Sequence, residues 1–125
     1  MIDFNNASYL KLRQVPVSNY ENAVAALLLP GERLEAAYQS IRDGLVFTDL
    51  RIITINVQGV TGKKKDFTSL PYNRIQTFSV ETAGVIDLDC ELELWFSGLG
   101  RVKLEFTRDS DVSALCRLIG SHVFR

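Results

Sequence analysis

Four acidic side chains, Asp87, Asp89, Glu91 and Glu93, alternate with apolar residues over one short segment. Carboxylates so close in sequence could bind a divalent cation or act as an acid/base pair. Side chains on one face of a strand are strung along a line, however, and do not meet at a point. The row therefore reads first as a charged outer face, secondly as a charged contact between subunits, and only last as a metal or catalytic site. A second chemical feature is Gly62-Lys63-Lys64-Lys65. A phosphate-cradling P-loop needs a glycine five residues before its Gly-Lys pair and a hydroxyl residue after it. Those positions hold Val57 and Lys64, so the motif fails. Two readings of the lysines stand: a solvated strand start that discourages edge-to-edge aggregation, or a contact for an anion or partner.

The remaining reactive residues are few. Cys90 and Cys116 lack metal-ligand spacing, and His122 is the single histidine. No zinc set and no Ser-His-Asp or Cys-His constellation can be assembled from them. The thiols read as small buried hydrophobes, with a disulfide or ligand role as the alternative. His122 reads as a structural residue near a helix end. No catalytic residue, cofactor or metal is expected.

Bulk properties narrow the class. The chain has 125 residues, 46% of them hydrophobic, enough for one domain with its own core. A formal net charge of -1 argues against a nucleic-acid partner. The start, Met1 to Asn6, has no basic region leading into an apolar run, and Ala23 to Leu29 is too short to span a bilayer. A soluble, cytoplasmic protein is the expectation.

The elements that must position these residues follow from periodicity. Segment 1–30 reads as a helical extension. It holds a short helix near Tyr9 to Gln14 and a second over 18–29, with a Ser18/Glu21 capping box. Residues 31–125 read as seven strands and a closing helix. The Asp43-Gly44 pair, between Arg33–Arg42 and Leu45–Asp49, marks a hairpin. Arg51–Val57, Lys63–Leu70 and Arg74–Thr82 continue the series. Leu88, Cys90, Leu92, Leu94 and Phe96 alternate with acids, and Val102, Leu104 and Phe106 alternate with Arg101, Lys103 and Glu105. These two strands should pair antiparallel, with a carboxylate across from Lys103. Asp109 to Phe124 is an amphipathic helix with Val112, Leu115, Cys116, Ile119 and Val123 on its buried stripe. The sum is a mainly β protein, an antiparallel open barrel plugged by its last helix.

Trp95 falls on the outer face beside the acids, Ile52 on the outer side of its strand, and Leu99 at a turn tip. Large residues so placed are either covered by the amino-terminal segment or used in subunit contact. Ile52, Trp95, Leu99, Asp89, Glu91 and Glu93 are thus the candidate interface. Lys63, Lys64 and Lys65 are the candidate anion or partner contact.

Seven strands and one terminal helix resemble the pleckstrin-homology (PH) superfold. The wording is closer still to bacterial PH-like domains: Gly31-Glu32, Ile41-Arg42-Asp43, Val46-Phe47-Thr48-Asp49, Gln58-Gly59-Val60-Thr61-Gly62, Leu70-Pro71-Tyr72 and Asp87 to Leu92. The resemblance covers about residues 28–124 and implies a helix-capped barrel that forms ring-like homo-oligomers. Phosphoinositide-binding PH domains carry basic residues around a long first loop. Here that connection is short and acidic, so phosphoinositide binding is not expected. The expected function is a non-enzymatic module that assembles with itself and serves as a protein-binding scaffold. The alternative is peripheral membrane or anionic-ligand binding through Lys63–Lys65.

Overall fold

The computed structural model describes residues 1, 4, 9–81, 90–107 and 110–124. Its eight strands are β1 (Tyr9–Val15), β2 (Leu34–Gln39), β3 (Gly44–Thr48), β4 (Arg51–Gln58), β5 (Lys64–Pro71), β6 (Ile75–Glu81), β7 (Cys90–Phe96) and β8 (Gly100–Phe106). They form one sheet in the order β5-β4-β3-β2-β1-β8-β7-β6. Two antiparallel meanders, β2 to β5 and β6 to β8, are thus joined side by side through β1. The amphipathic helix α2 (Val112–Val123) closes the chain.

The strand β1 corrects the expectation of a helix near Tyr9 to Gln14. Its residues 13–15 pair antiparallel with β2, while Tyr9 and Leu12 pair parallel with β8. That one pair also departs from an all-antiparallel sheet. The register slips between Tyr9 and Leu12, where Lys11 has a φ of 55°. A bulge at this point turns the strand from one meander to the other. Leu12 is fully buried. The seam between β2 and β8 leaves backbone groups that only another strand can satisfy, and this outweighs local propensity.

The helix expected over 18–29 shrinks to one turn, α1 (Glu21–Val24), after a 3₁₀ turn at Val17–Asn19. Tyr20 caps it without a side-chain hydrogen bond, so no Ser18/Glu21 capping box forms. The segment is instead a cover. Val24 packs with Ala37, Val46, Ile53 and Ile55 on the outer face of β2 to β4, with Val15, Val17, Tyr20 and Leu28 alongside.

The main core lies on the other face, where Tyr38 meets Phe47 and Phe106 edge-on at centroid distances of 5.8 and 5.0 Å. Leu115 and Ile119 of α2 plug it. Asp111 caps α2, accepting the Ala114 N–H at 3.0 Å. The expected start at Asp109 and the Val112 side chain lie outside the described residues. With both faces covered, β3 is buried along its whole length.

The β2–β3 hairpin forms, but its turn lies earlier than the Asp43-Gly44 pair suggests. Ser40 and Asp43 close it, Ser40 N–H donating to the Asp43 carbonyl at 2.9 Å and Asp43 N–H to Ser40 Oγ at 3.1 Å. Gly44 is the first strand residue, opposite Gln39. A glycine is needed there for space: a Cβ would stand 2.6 Å from the Tyr20 ring.

Candidate interaction surfaces

β7 and β8 pair antiparallel as expected, with Leu92 opposite Leu104 and Leu94 opposite Val102, all buried, and Glu93 opposite Lys103. The alternate positions therefore point outward. Lys103 Nζ reaches Glu91 Oε1 at 3.1 Å, and Arg101 Nη1 reaches Glu93 Oε1 at 3.5 Å. Both acids thus have cationic neighbours across the ladder and share no common ligand position. Asp87 and Asp89 lie outside the described residues. Among the described residues, no cluster of His, Cys, Asp and Glu could hold a metal ion.

Trp95 is 41% exposed, between Thr77 and Arg101 on the same outer face. Leu99 is half-buried and packs against the main core. Ile52 is a correction: it is 0% exposed and lies in the main core, not on an interface. Its strand is apolar on both sides, Ile52 inward and Ile53 and Ile55 under the amino-terminal cover. Period two tells one face from the other only where one of them is polar.

Lys63, Lys64 and Lys65 are exposed at the loop before β5 and its first residues. The turn that holds Arg42 lies against this loop, because Arg42 Nη2 donates to the Gly59 carbonyl at 2.5 Å. Arg42, Lys65 and Tyr20 border an open groove of about 460 Å³.

A buried polar hub was not foreseen. The Glu32 side chain is fully buried, and Arg51 grips it from Nε and Nη2, each at 2.9 Å. Leu29 N–H donates to Oε1 at 2.9 Å and Thr48 Oγ1 to Oε2 at 2.7 Å. Burial pushes the Glu32 carboxyl up, but the Arg51, Leu29 and Thr48 hydrogen bonds outweigh it, so it titrates below the usual value. Arg51 also donates to Ser69 Oγ at 3.0 Å, and Tyr72 OH to the Thr48 carbonyl at 2.7 Å. The hub ties the amino-terminal cover to β3, β4 and β5. Gly31-Glu32 was visible as a family signature, but three separate segments supply the partners.

His122 does more than sit near a helix end. Its Nε2 lies 2.5 Å from Glu35 Oε1 on β2, and its ring stacks on Tyr72 at 4.5 Å. It clamps α2 to the barrel. Cys90 and Cys116 are free thiols, and burial pushes the Cys116 thiol up, away from the reactive thiolate.

The sequence pattern of a bacterial PH domain matches residues 3–123. The chain belongs to this family. The bacterial PH domain is 43% identical over 118 residues to an uncharacterized protein of Bacillus subtilis (strain 168), YjqA, covering 93% of this chain and 90% of that protein. It is also similar to the crystal structure of a DUF1696 family protein with a pleckstrin-homology domain from Shewanella loihica PV-4. There the TM-score is 0.82 and the identity 37%, over 91% of this chain and 98% of that one. A pleckstrin homology domain from Shewanella amazonensis SB2B gives a TM-score of 0.69 and 39% identity, over 94% and 92% of the two chains. The eight-stranded sheet and carboxy-terminal helix match a PH-like fold, and the matched residues include β1. Among the described residues of this PH domain, no helix is long and apolar enough to cross a membrane.

Proposed function

We propose that this bacterial PH domain is a non-enzymatic interaction module that assembles with copies of itself and offers the assembly to protein partners. The observation that carries this reading is the pair of sheet ends. β5 and β6 terminate the eight-stranded order, and each has one side without a strand partner among the described residues. An open edge presents backbone donors and acceptors that a neighbouring chain can extend. Joining the β5 edge of one copy to the β6 edge of the next is a head-to-tail contact, which closes into a ring when the rotation allows. Trp95 supports the same surface, because it stands beside Thr77 of edge strand β6. Glu91 and Glu93 are each paired with a cation of β8, which speaks against a catalytic role for this face.

Multi-angle light scattering between about 1 and 100 µM tests the reading. Oligomers of defined mass are expected. A monomer across the whole range overturns it.

A further inference from the structure

A cleft of about 220 Å³ lies where α2 meets β1 and β2. That is room for about seven water-sized groups. Its walls are aliphatic, Ala36 from β2 with Leu115 and Leu118 from α2. Its rim is polar and exposed, with Glu35 on β2, Asp111 at the cap of α2 and Gln14 on β1. Both acids already have a neighbour, the Ala114 N–H on Asp111 Oδ1 and His122 on Glu35 Oε1. Each carboxylate keeps an oxygen for another donor. The deciding group is Tyr38, which also lines the cleft and is only 2% exposed. Phe47 and Phe106 hold its ring edge-on. Its hydroxyl makes no hydrogen bond to a described residue. A phenylalanine would fill the same apolar surroundings, so this hydroxyl costs stability unless something in the cleft pairs with it. Burial and the charge of Asp111 push the phenol up to about 12. It therefore stays neutral near neutral pH, with lone pairs free to accept.

We propose that this cleft binds an alkylammonium group, its stem against Ala36, Leu115 and Leu118 and its ammonium held by the Tyr38 oxygen and the carboxylates of Asp111 and Glu35. An ammonium carries three N–H donors that diverge, and here the acceptors come from two elements, β2 and α2. A planar guanidinium suits a single bidentate carboxylate better than acceptors so divided. The apolar walls exclude an ion without a stem and strengthen the attraction of one that has it. A lysine side chain of a partner protein and a free amine share this chemistry. The cleft is lined by neither β5 nor β6, so the proposal does not rest on assembly through the sheet edges.

Amide NMR of the isotope-labelled full chain, titrated with n-butylammonium, tests it. Saturable shifts at Glu35, Tyr38, Leu115 and Leu118 are expected, with a Kd of about 1–10 mM for so small a ligand. Neutral 1-butanol and anionic butanoate at the same concentrations should move these signals far less. Asp111→Asn keeps a competent helix cap, and Tyr38→Phe keeps the ring. Each should weaken binding about tenfold, and Tyr38→Phe should melt at or above the parent temperature. A lysine peptide flanked by glycines, with both ends blocked, separates the two sources. Tighter binding than n-butylammonium marks a protein side chain, and weaker binding marks a free amine. The absence of shifts around the cleft overturns the proposal. Equal shifts from 1-butanol do so too, since they mark a plain apolar crevice, as does full affinity in either variant.

Discussion

Arg51 closes two edges of its guanidinium on the buried carboxylate of Glu32, Nε to Oε2 and Nη2 to Oε1, both at 2.9 Å. The pair is bidentate, and further donors from Leu29 and Thr48 complete the carboxylate. Such geometry offsets the cost of removing the charges from water. It fixes the amino-terminal cover to the β3–β4 corner.

Removing one partner leaves the other charge buried. Arg51→Ala should therefore cost about 3 kcal/mol of unfolding free energy, read by urea denaturation. Arg51→Lys should recover little, because an ammonium cannot grip both oxygens. Full recovery by lysine would show that charge alone matters here.

The same pair sets an acid limb. The Glu32 carboxyl titrates lower in the folded than in the unfolded chain. Its stabilisation is complete above the ordinary carboxylate range and declines as pH falls through the folded value. Thermal melts from neutral pH downward should show a smaller acid-induced drop in Glu32→Gln than in the parent. Parallel curves for the two proteins would contradict this.

Thr54 offers the opposite case. Its hydroxyl is buried on β4 with no hydrogen-bond partner among the described residues. Thr54→Val keeps the shape and removes the unpaired group. A gain of about 1 kcal/mol is expected in chemical denaturation. A loss would mean that the hydroxyl is satisfied in solution.

Gly44 and Tyr20 should behave as a coupled pair. Gly44→Ala drives a methyl into the Tyr20 ring and should cost about 1–3 kcal/mol. In the Tyr20→Ala background the same change should cost far less, and a double-mutant cycle measures the difference. Additive effects would refute the steric account.

Ile52 and Trp95 separate core from surface. Ile52→Ala should cost about 2–5 kcal/mol through an unfilled core site. Trp95→Ser should change stability by less than about 1 kcal/mol while lowering the oligomer mass seen by light scattering. A Trp95 variant that melts early but keeps full mass would place this residue in folding and not in assembly.

Local pattern was enough for β7, β8 and α2. Each has one apolar and one polar face, so the period of the residues and the direction of the side chains are the same information. The lysine run and the exposed Trp95 were legible for that reason too. The signature Gly31-Glu32 was legible as wording but not as a hub.

What escaped is what depends on distant partners. β1 is a strand because the seam between β2 and β8 lacks one, and its neighbours there come from residues 37–39 and 104–106. Ile52 turned inward because the amino-terminal cover makes β4 apolar on both sides, and a pattern with two apolar faces carries no sign of direction. The β2–β3 turn and the β4–β5 loop came together only when Arg42 reached the Gly59 carbonyl. Side-chain periodicity is a property of a few adjacent residues. Ladder completion, double-sided burial and loop meeting are properties of the whole chain once it has closed on itself.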